Sequence, residues 1–191
     1  GEWYDAGAEC EARPVVVTKP NWDVPLVRQQ AGTMVKVNRE LPAIQVSKKL
    51  FDTRQNCSGI VHINVKGEKG KSITMRPAEI LKNGKISQKS MPGYEWKYTL
   101  RGDMEGETWQ PQFSYTGFRY VEVSMDEGVE LLELKGLHTT TDVKEVGSFE
   151  CSDTLFNQIH SLIDWAMRSN MVSITTDCPT REKLGWQEQN H

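Results

Sequence analysis

The 191-residue sequence predicts a mainly β protein, an antiparallel β-sandwich followed by one amphipathic helix. Three observations carry that prediction. Short apolar runs with two-residue alternation recur between residues 36 and 140, separated by turn-forming residues and uninterrupted by any helical period. Past residue 150 the period changes, once, to that of a helix. Hydrophobic residues at 37% and charged residues at 26% describe an ordinary globular chain. No apolar run approaches the ~20 residues a transmembrane helix requires.

Residues 1–35 read as irregular, because Pro14, Pro20 and Pro25 interrupt short runs such as Val15-Val16-Val17. From about Val35 the pattern turns β. Ile44, Val46 and Leu50-Phe51 suggest a strand, and Asp52 to Gly59 reads as a loop. Val61, Ile63 and Val65 then share one strand face, and Lys66-Gly67-Glu68-Lys69-Gly70 turns the chain. Ile73 to Ile80 is a further strand, with Pro77 indicating an edge or a bulge. Asn83-Gly84 signals a tight hairpin turn.

Tyr94, Trp96, Tyr98 and Leu100 alternate, which places three aromatics on one face. Such a face can be a platform for sugars or the inner surface of a sandwich, and core packing is the stronger demand. Trp109 to Tyr115, a turn at Gly117, Phe118 to Val123 and Val129 to Leu137 complete the strands. The alternation ends around 139–147, where a domain boundary is expected. Ser152 or Asp153 then caps a helix whose apolar stripe is Leu155, Phe156, Ile159, Leu162, Ile163, Ala166 and Met167. His160 falls off the stripe, Trp165 lies at its margin, and Asn170 is a plausible stop.

Charge excludes some functions. Residues 36–85 hold 11 Lys/Arg against 4 Asp/Glu, and residues 86–191 hold 9 against 17. The lysines are scattered singly over strands and turns, without stacking aromatics between them, so solvated faces explain them and nucleic acid is not an expected partner. Cys10, Cys57, Cys151 and Cys178 are far apart, which suggests neither zinc nor a disulfide framework. Cys178 as a nucleophile, with His160 or His191 as its base, competes with a packing cysteine, which this spacing favours.

The densest chemistry is Thr176-Asp177-Cys178-Pro179-Thr180-Arg181-Glu182-Lys183-Leu184-Gly185-Trp186. It gathers two carboxylates, a guanidinium and an indole, and Arg181 and Glu182 are bracketed by Pro179, which disfavours helix, and Gly185, which permits unusual backbone. Taken as composition this is any solvated loop. As a word it resembles the signature of the bacterial α-L-rhamnosidases of glycoside hydrolase family 78, an Asp-Cys-Pro-x-Arg-Glu core followed by Gly-Trp. The stretches FDTRQNCSGIVHINVKG, ITMRPAEIL, YTLRGD and ETWQPQFSYTGFRYVEV are also similar to that family. Arg54 stands where the family more often has glycine, which puts a special turn there in question.

The resemblance implies a concanavalin-like, jelly-roll type β domain over 36–140, preceded by a tail of another β domain or a linker over 1–35. Residues 141–191 would begin a truncated (α/α)6 catalytic barrel, with the remainder missing from this chain. It implies an inverting hydrolase that removes terminal α-L-rhamnose from a rhamnose-containing glycoside or polysaccharide, with no cofactor and no metal. Glu182 would be the general acid, with a raised pKa, while Asp177, Arg181 and Trp186 bind the sugar. Because a direct ion pair would oppose that shift, Arg181 is expected to point at Asp177 or at sugar hydroxyls. Many members carry aspartate three residues after the tryptophan. Here Gln189 stands there, and Glu188 is its doubtful substitute. The general base is expected beyond residue 191, so this piece alone should be inactive. A non-catalytic carbohydrate-binding or structural β module is the alternative.

Overall fold

The computed structural model describes residues 1–19, 21, 23–25 and 34–186. Its strands are β1 (Glu2–Asp5), β2 (Val35–Pro42), β3 (Ile44–Gln45), β4 (Leu50–Lys66), β5 (Ser72–Ala78), β6 (Ile80–Lys82), β7 (Lys85–Ser87), β8 (Trp96–Thr99), β9 (Glu107–Trp109), β10 (Thr116–Met125) and β11 (Glu130–Thr141). Helix α1 (Thr154–Asn170) and the small hairpin β12 (Met171–Val172) and β13 (Ile174–Thr175) follow.

One curled sheet realises the expected β fold, in the order β1-β8-β5-β10-β4-β11-β2, with β3 and β9 also paired to β4. Strand β4 makes the curl. Its first half pairs with β10 and β3, and its second half with β11 and β9. Val61, Ile63 and Val65 share the inner face, as their alternation predicts, with Ile73, Met75, Trp96, Leu100, Phe118 and Val121 around them. Each such side chain contributes about 1.5–3 kcal/mol on burial. Tyr94, Trp96 and Tyr98 belong to this core and its margin: Trp96 meets Tyr94 and Phe118 edge to face, and Tyr98 stacks on Trp109. The buried Glu107 carboxylate closes one end, accepting from the Tyr98 hydroxyl at 2.6 Å and from the backbone N–H of Arg101, Gly102 and Asp103.

Several expectations are corrected. Asp52 to Gly59 is not a separate loop but part of β4, interrupted by a bulge. Phe118 pairs with Cys57 and Tyr120 with Asp52, so residues 53–56 lie opposite Arg119 alone. Arg54 adopts φ +62° at the bulge, the left-handed conformation in which glycine is strain-free. Arg54 therefore holds that conformation itself, fixed by its N–H to Asp52 at 2.7 Å and by the two-pronged Arg119–Asp52 ion pair. At Gly59 the chains approach so closely that a Cβ would lie 2.1 Å from the Leu137 carbonyl oxygen. Signals of a loop in the sequence are here signals of crowded backbone.

Gly117 likewise makes no turn but lies within β10. The expected strand Trp109 to Tyr115 shortens to β9, because the N–H groups of Gln112 and Phe113 donate to the Glu2 carboxylate instead of to a neighbouring strand. Nor is all of 1–35 irregular, since β1 adds a parallel strand beside β8. Pro77 sits in β5 beyond its pairing with β8, where the missing N–H costs nothing on that edge. Asn83 and Gly84, both at positive φ, turn the β6–β7 hairpin as expected.

Helix α1 is capped by Asp153, whose carboxylate accepts from the Leu155 N–H at 2.8 Å. It lies on β4 and β11 by the face that carries Trp165 and Ser169, not by its apolar stripe. Ser169 is buried and accepts from the Ser58 N–H, and Trp165 packs edge-on against His138 beneath the Arg39 guanidinium. Leu155, Phe156, Ile159, Leu162, Ile163 and Met167 are exposed. His160, off the stripe, is exposed and stacks on Phe149.

Candidate active site

Immediately after α1 the backbone is tied down. Thr176 is buried, and its N–H and hydroxyl both donate to the Asn170 carbonyl. The hairpin β12–β13 is fixed to the sheet through the Thr140 hydroxyl to Met171 O and the Ser173 N–H to the Thr141 hydroxyl. These contacts deliver residues 177–186 as a closed loop.

Asp177 closes it. Its Oδ1 accepts from the N–H of Cys178 at 2.8 Å and of Leu184 at 2.9 Å, its Oδ2 from the Trp186 indole at 3.2 Å, and its own N–H donates to the Leu184 carbonyl. Gly185 lets the loop pass close to Ile174, whose Cδ1 would lie 2.6 Å from an added Cβ and would have to turn aside. Sequence reasoning brings Asp177 and Trp186 to one site, and the structure joins them directly, with the half-exposed indole anchored to the aspartate.

Arg181 and Glu182 project from the exposed side of this loop. The expected direction of Arg181 is corrected: its guanidinium pairs with the Glu182 carboxylate through Nε and Nη2. Asp177 instead accepts from the Cys178 and Leu184 N–H groups and the Trp186 indole, and the guanidinium pairs with the adjacent residue. The raised pKa expected of Glu182 is corrected with it. The Arg181 hydrogen bond first, and then the Cys178 thiol donating to Oε2 at 3.1 Å, hold the carboxyl down at about 2. In this conformation Glu182 is a carboxylate. Cys178 is only partly buried and outside the core, and its thiol acts as a hydrogen-bond donor to that carboxylate instead of as the expected packing group.

Asp177, Cys178 and Glu182 each bring one donor atom within 4.8 Å of the others. Three N–H donors and a guanidinium already occupy the carboxylate oxygens, so the set suits a cation poorly. Glu188, Gln189 and His191 lie outside the described residues.

The loop also rests on the β domain, on Gly117 of β10 and on Glu79 and Tyr115 beside the strands, residues the sequence reading missed. The Gly117 N–H donates to the Pro179 carbonyl, the Thr180 hydroxyl to Glu79, and Lys183 Nζ to the Tyr115 carbonyl at 2.6 Å. Lys183 is half-buried, lies 4.0 Å above the Tyr115 ring, and has its pKa lowered by that burial. These partners are 62 to 101 residues apart in sequence (Gly117 to Pro179, Glu79 to Thr180), and no local pattern signals them.

Comparison with known proteins decides the family. The family model described as bacterial α-L-rhamnosidase concanavalin-like domain matches residues 43–141, more than half of the chain, and the model of the six-hairpin glycosidase domain matches 144–191. The chain belongs to the bacterial α-L-rhamnosidase family. An α-L-rhamnosidase of Formosa agariphila is 37% identical over 151 residues, covering 74% of this chain and 16% of that protein. One from Streptomyces avermitilis is 34% identical over 207 residues, covering 97% of this chain and 20% of its own length. Among solved structures, a Streptomyces avermitilis α-L-rhamnosidase complexed with L-rhamnose superposes with a TM-score of 0.74 at 33% identity, over 81% of this chain and 16% of that one. The chain thus spans about a fifth or less of the length of these curated relatives.

Proposed function

We propose that the protein containing this chain hydrolyses terminal α-L-rhamnosides with inversion, and that Glu182 donates the proton to the leaving oxygen. The observation that carries the reading is the gathering of Asp177, Arg181, Glu182 and Trp186 into one anchored loop, in a chain of the rhamnosidase family. On this reading residues 1–35 are a tail or linker, 36–140 the β domain, and 141–191 the start of the catalytic barrel. The substrate is a rhamnose-containing glycoside or polysaccharide, in keeping with the L-rhamnose bound to the Streptomyces avermitilis relative.

Proton donation requires Glu182 to leave its pair with Arg181. An arginine turned onto sugar hydroxyls releases the carboxyl, and enclosure by substrate and barrel raises its pKa by desolvation. Trp186 offers a flat apolar surface to the sugar. A second carboxylate, roughly 6.5–9.5 Å from Glu182 and supplied by another part of the barrel, activates the water. On this reading the chain by itself turns nothing over.

Proton NMR of the full-length protein acting on an aryl α-L-rhamnoside tests this. Release of L-rhamnose first as the β anomer is expected, and release as the α anomer contradicts the inverting mechanism.

A further inference from the structure

The sequence carries the proposed proton donor in residues 176–186, yet the contacts that hold its flanks come from the β domain. Both flanks of the Arg181–Glu182 pair are pinned. Before it, the Pro179 carbonyl accepts from the Gly117 N–H at 3.2 Å and the Thr180 hydroxyl donates to Glu79, whose other oxygen accepts from the Asn56 side chain. After it, Lys183 is held at Tyr115. Two features show that these contacts constrain the loop. Lys183 has φ +54°, a left-handed backbone that a lysine adopts only where its surroundings impose it. Gly117 leaves so little room that a Cβ would lie 2.8 Å from the Pro179 ring and 2.9 Å from Glu79 Oε1.

We infer that Lys183, seated on Tyr115, is a positioning residue for Glu182, with Gly117 and Glu79 setting the other flank. The β domain is thereby a working part of the catalytic site and no mere spacer. The mechanism is geometric. Nζ donates to a fixed carbonyl, the cation rests on an aromatic face, and the stem between them fixes the peptide that leaves Glu182. Without the anchor, residue 183 relaxes to negative φ and redirects the neighbouring side chain. The inference rests on the role proposed for Glu182, and its test separates the two.

The test uses Lys183→Met and Lys183→Arg, with Gly117→Ala acting from the sheet side, in the full-length protein on an aryl α-L-rhamnoside. Lys183→Met is expected to lower kcat about tenfold or more while KM changes by no more than about twofold, since misdirecting a catalytic group acts on the transition state. Lys183→Arg, which keeps a cation for the ring and a donor for the carbonyl, restores most of kcat. Gly117→Ala gives the same split between kcat and KM. Thermal melting identifies any variant that has lost its fold, and the other two then decide. A kcat within about twofold of wild type in Lys183→Met, or a methionine and an arginine variant equally impaired, overturns the positioning role.

If instead Glu182→Gln retains activity, the reading of Glu182 fails, and carboxyl NMR on the 191-residue chain decides the positioning. Relaxation of the loop in Lys183→Met should move the Glu182 titration up from about 2 as its contacts with Arg181 and Cys178 loosen. An unmoved titration overturns the inference.

Discussion

Glu182 is poised by its neighbours rather than by burial. The Arg181 guanidinium and the Cys178 thiol stabilise its charged form, and its folded pKa of about 2 lies below the ordinary 4.5. Because that pKa is depressed, the pairing favours the fold above pH 4.5, and the contribution is lost as pH falls from 4.5 through about 2. Arg181→Ala should raise the Glu182 titration toward the ordinary carboxylate range, as read by carboxyl NMR of this chain. A titration that stays near 2 in that variant would assign the shift to other groups. The sequence displays every residue of this cluster, and their types suggest the chemistry. The direction of Arg181 is not legible there, because it depends on how the loop turns Asp177 toward its own backbone and the Trp186 indole.

Helix α1 shows how far a pattern reaches and where it stops. Its span, its Asp153 cap and its end at Asn170 follow from the apolar spacing and from capping chemistry. Which face meets the sheet does not, since periodicity marks the apolar stripe without saying what covers it. Ser169 and Trp165 face β4 and β11 while the stripe is exposed. Trp165→Ala should therefore destabilise this chain by about 2 kcal/mol or more in urea unfolding, for a half-buried aromatic in contact with His138 and Arg39. Leu162→Gln should change its stability by less than about 0.5 kcal/mol. The reverse order would mean that the stripe is the packed face. Strands fared the same way as the helix. Val61, Ile63 and Val65 were legible from alternation, whereas the β4 bulge and the course of Gly117 depend on partners distant in sequence.

At the scale of the whole molecule, the sheet, the inner face of α1 and the signature loop form one connected support. The sheet holds Pro179, Thr180 and Lys183, the helix end holds Thr176, and Asp177 closes the loop over Trp186. The exposed apolar stripe of α1 remains available for further helices, in keeping with the six-hairpin family model that matches residues 144–191. Such a scaffold presents one carboxyl group with its flanks fixed, which suits a group that must meet a leaving oxygen at a set distance and angle. The direct measurement is the kcat of Glu182→Gln in the full-length protein, on an alkyl α-L-rhamnoside and on a nitrophenyl one. A poor leaving group needs the proton and a good one needs it less, so the loss should reach about a hundredfold or more on the alkyl substrate and be smaller on the nitrophenyl one. Activity within a few-fold of wild type on the alkyl rhamnoside would contradict Glu182 as the proton donor.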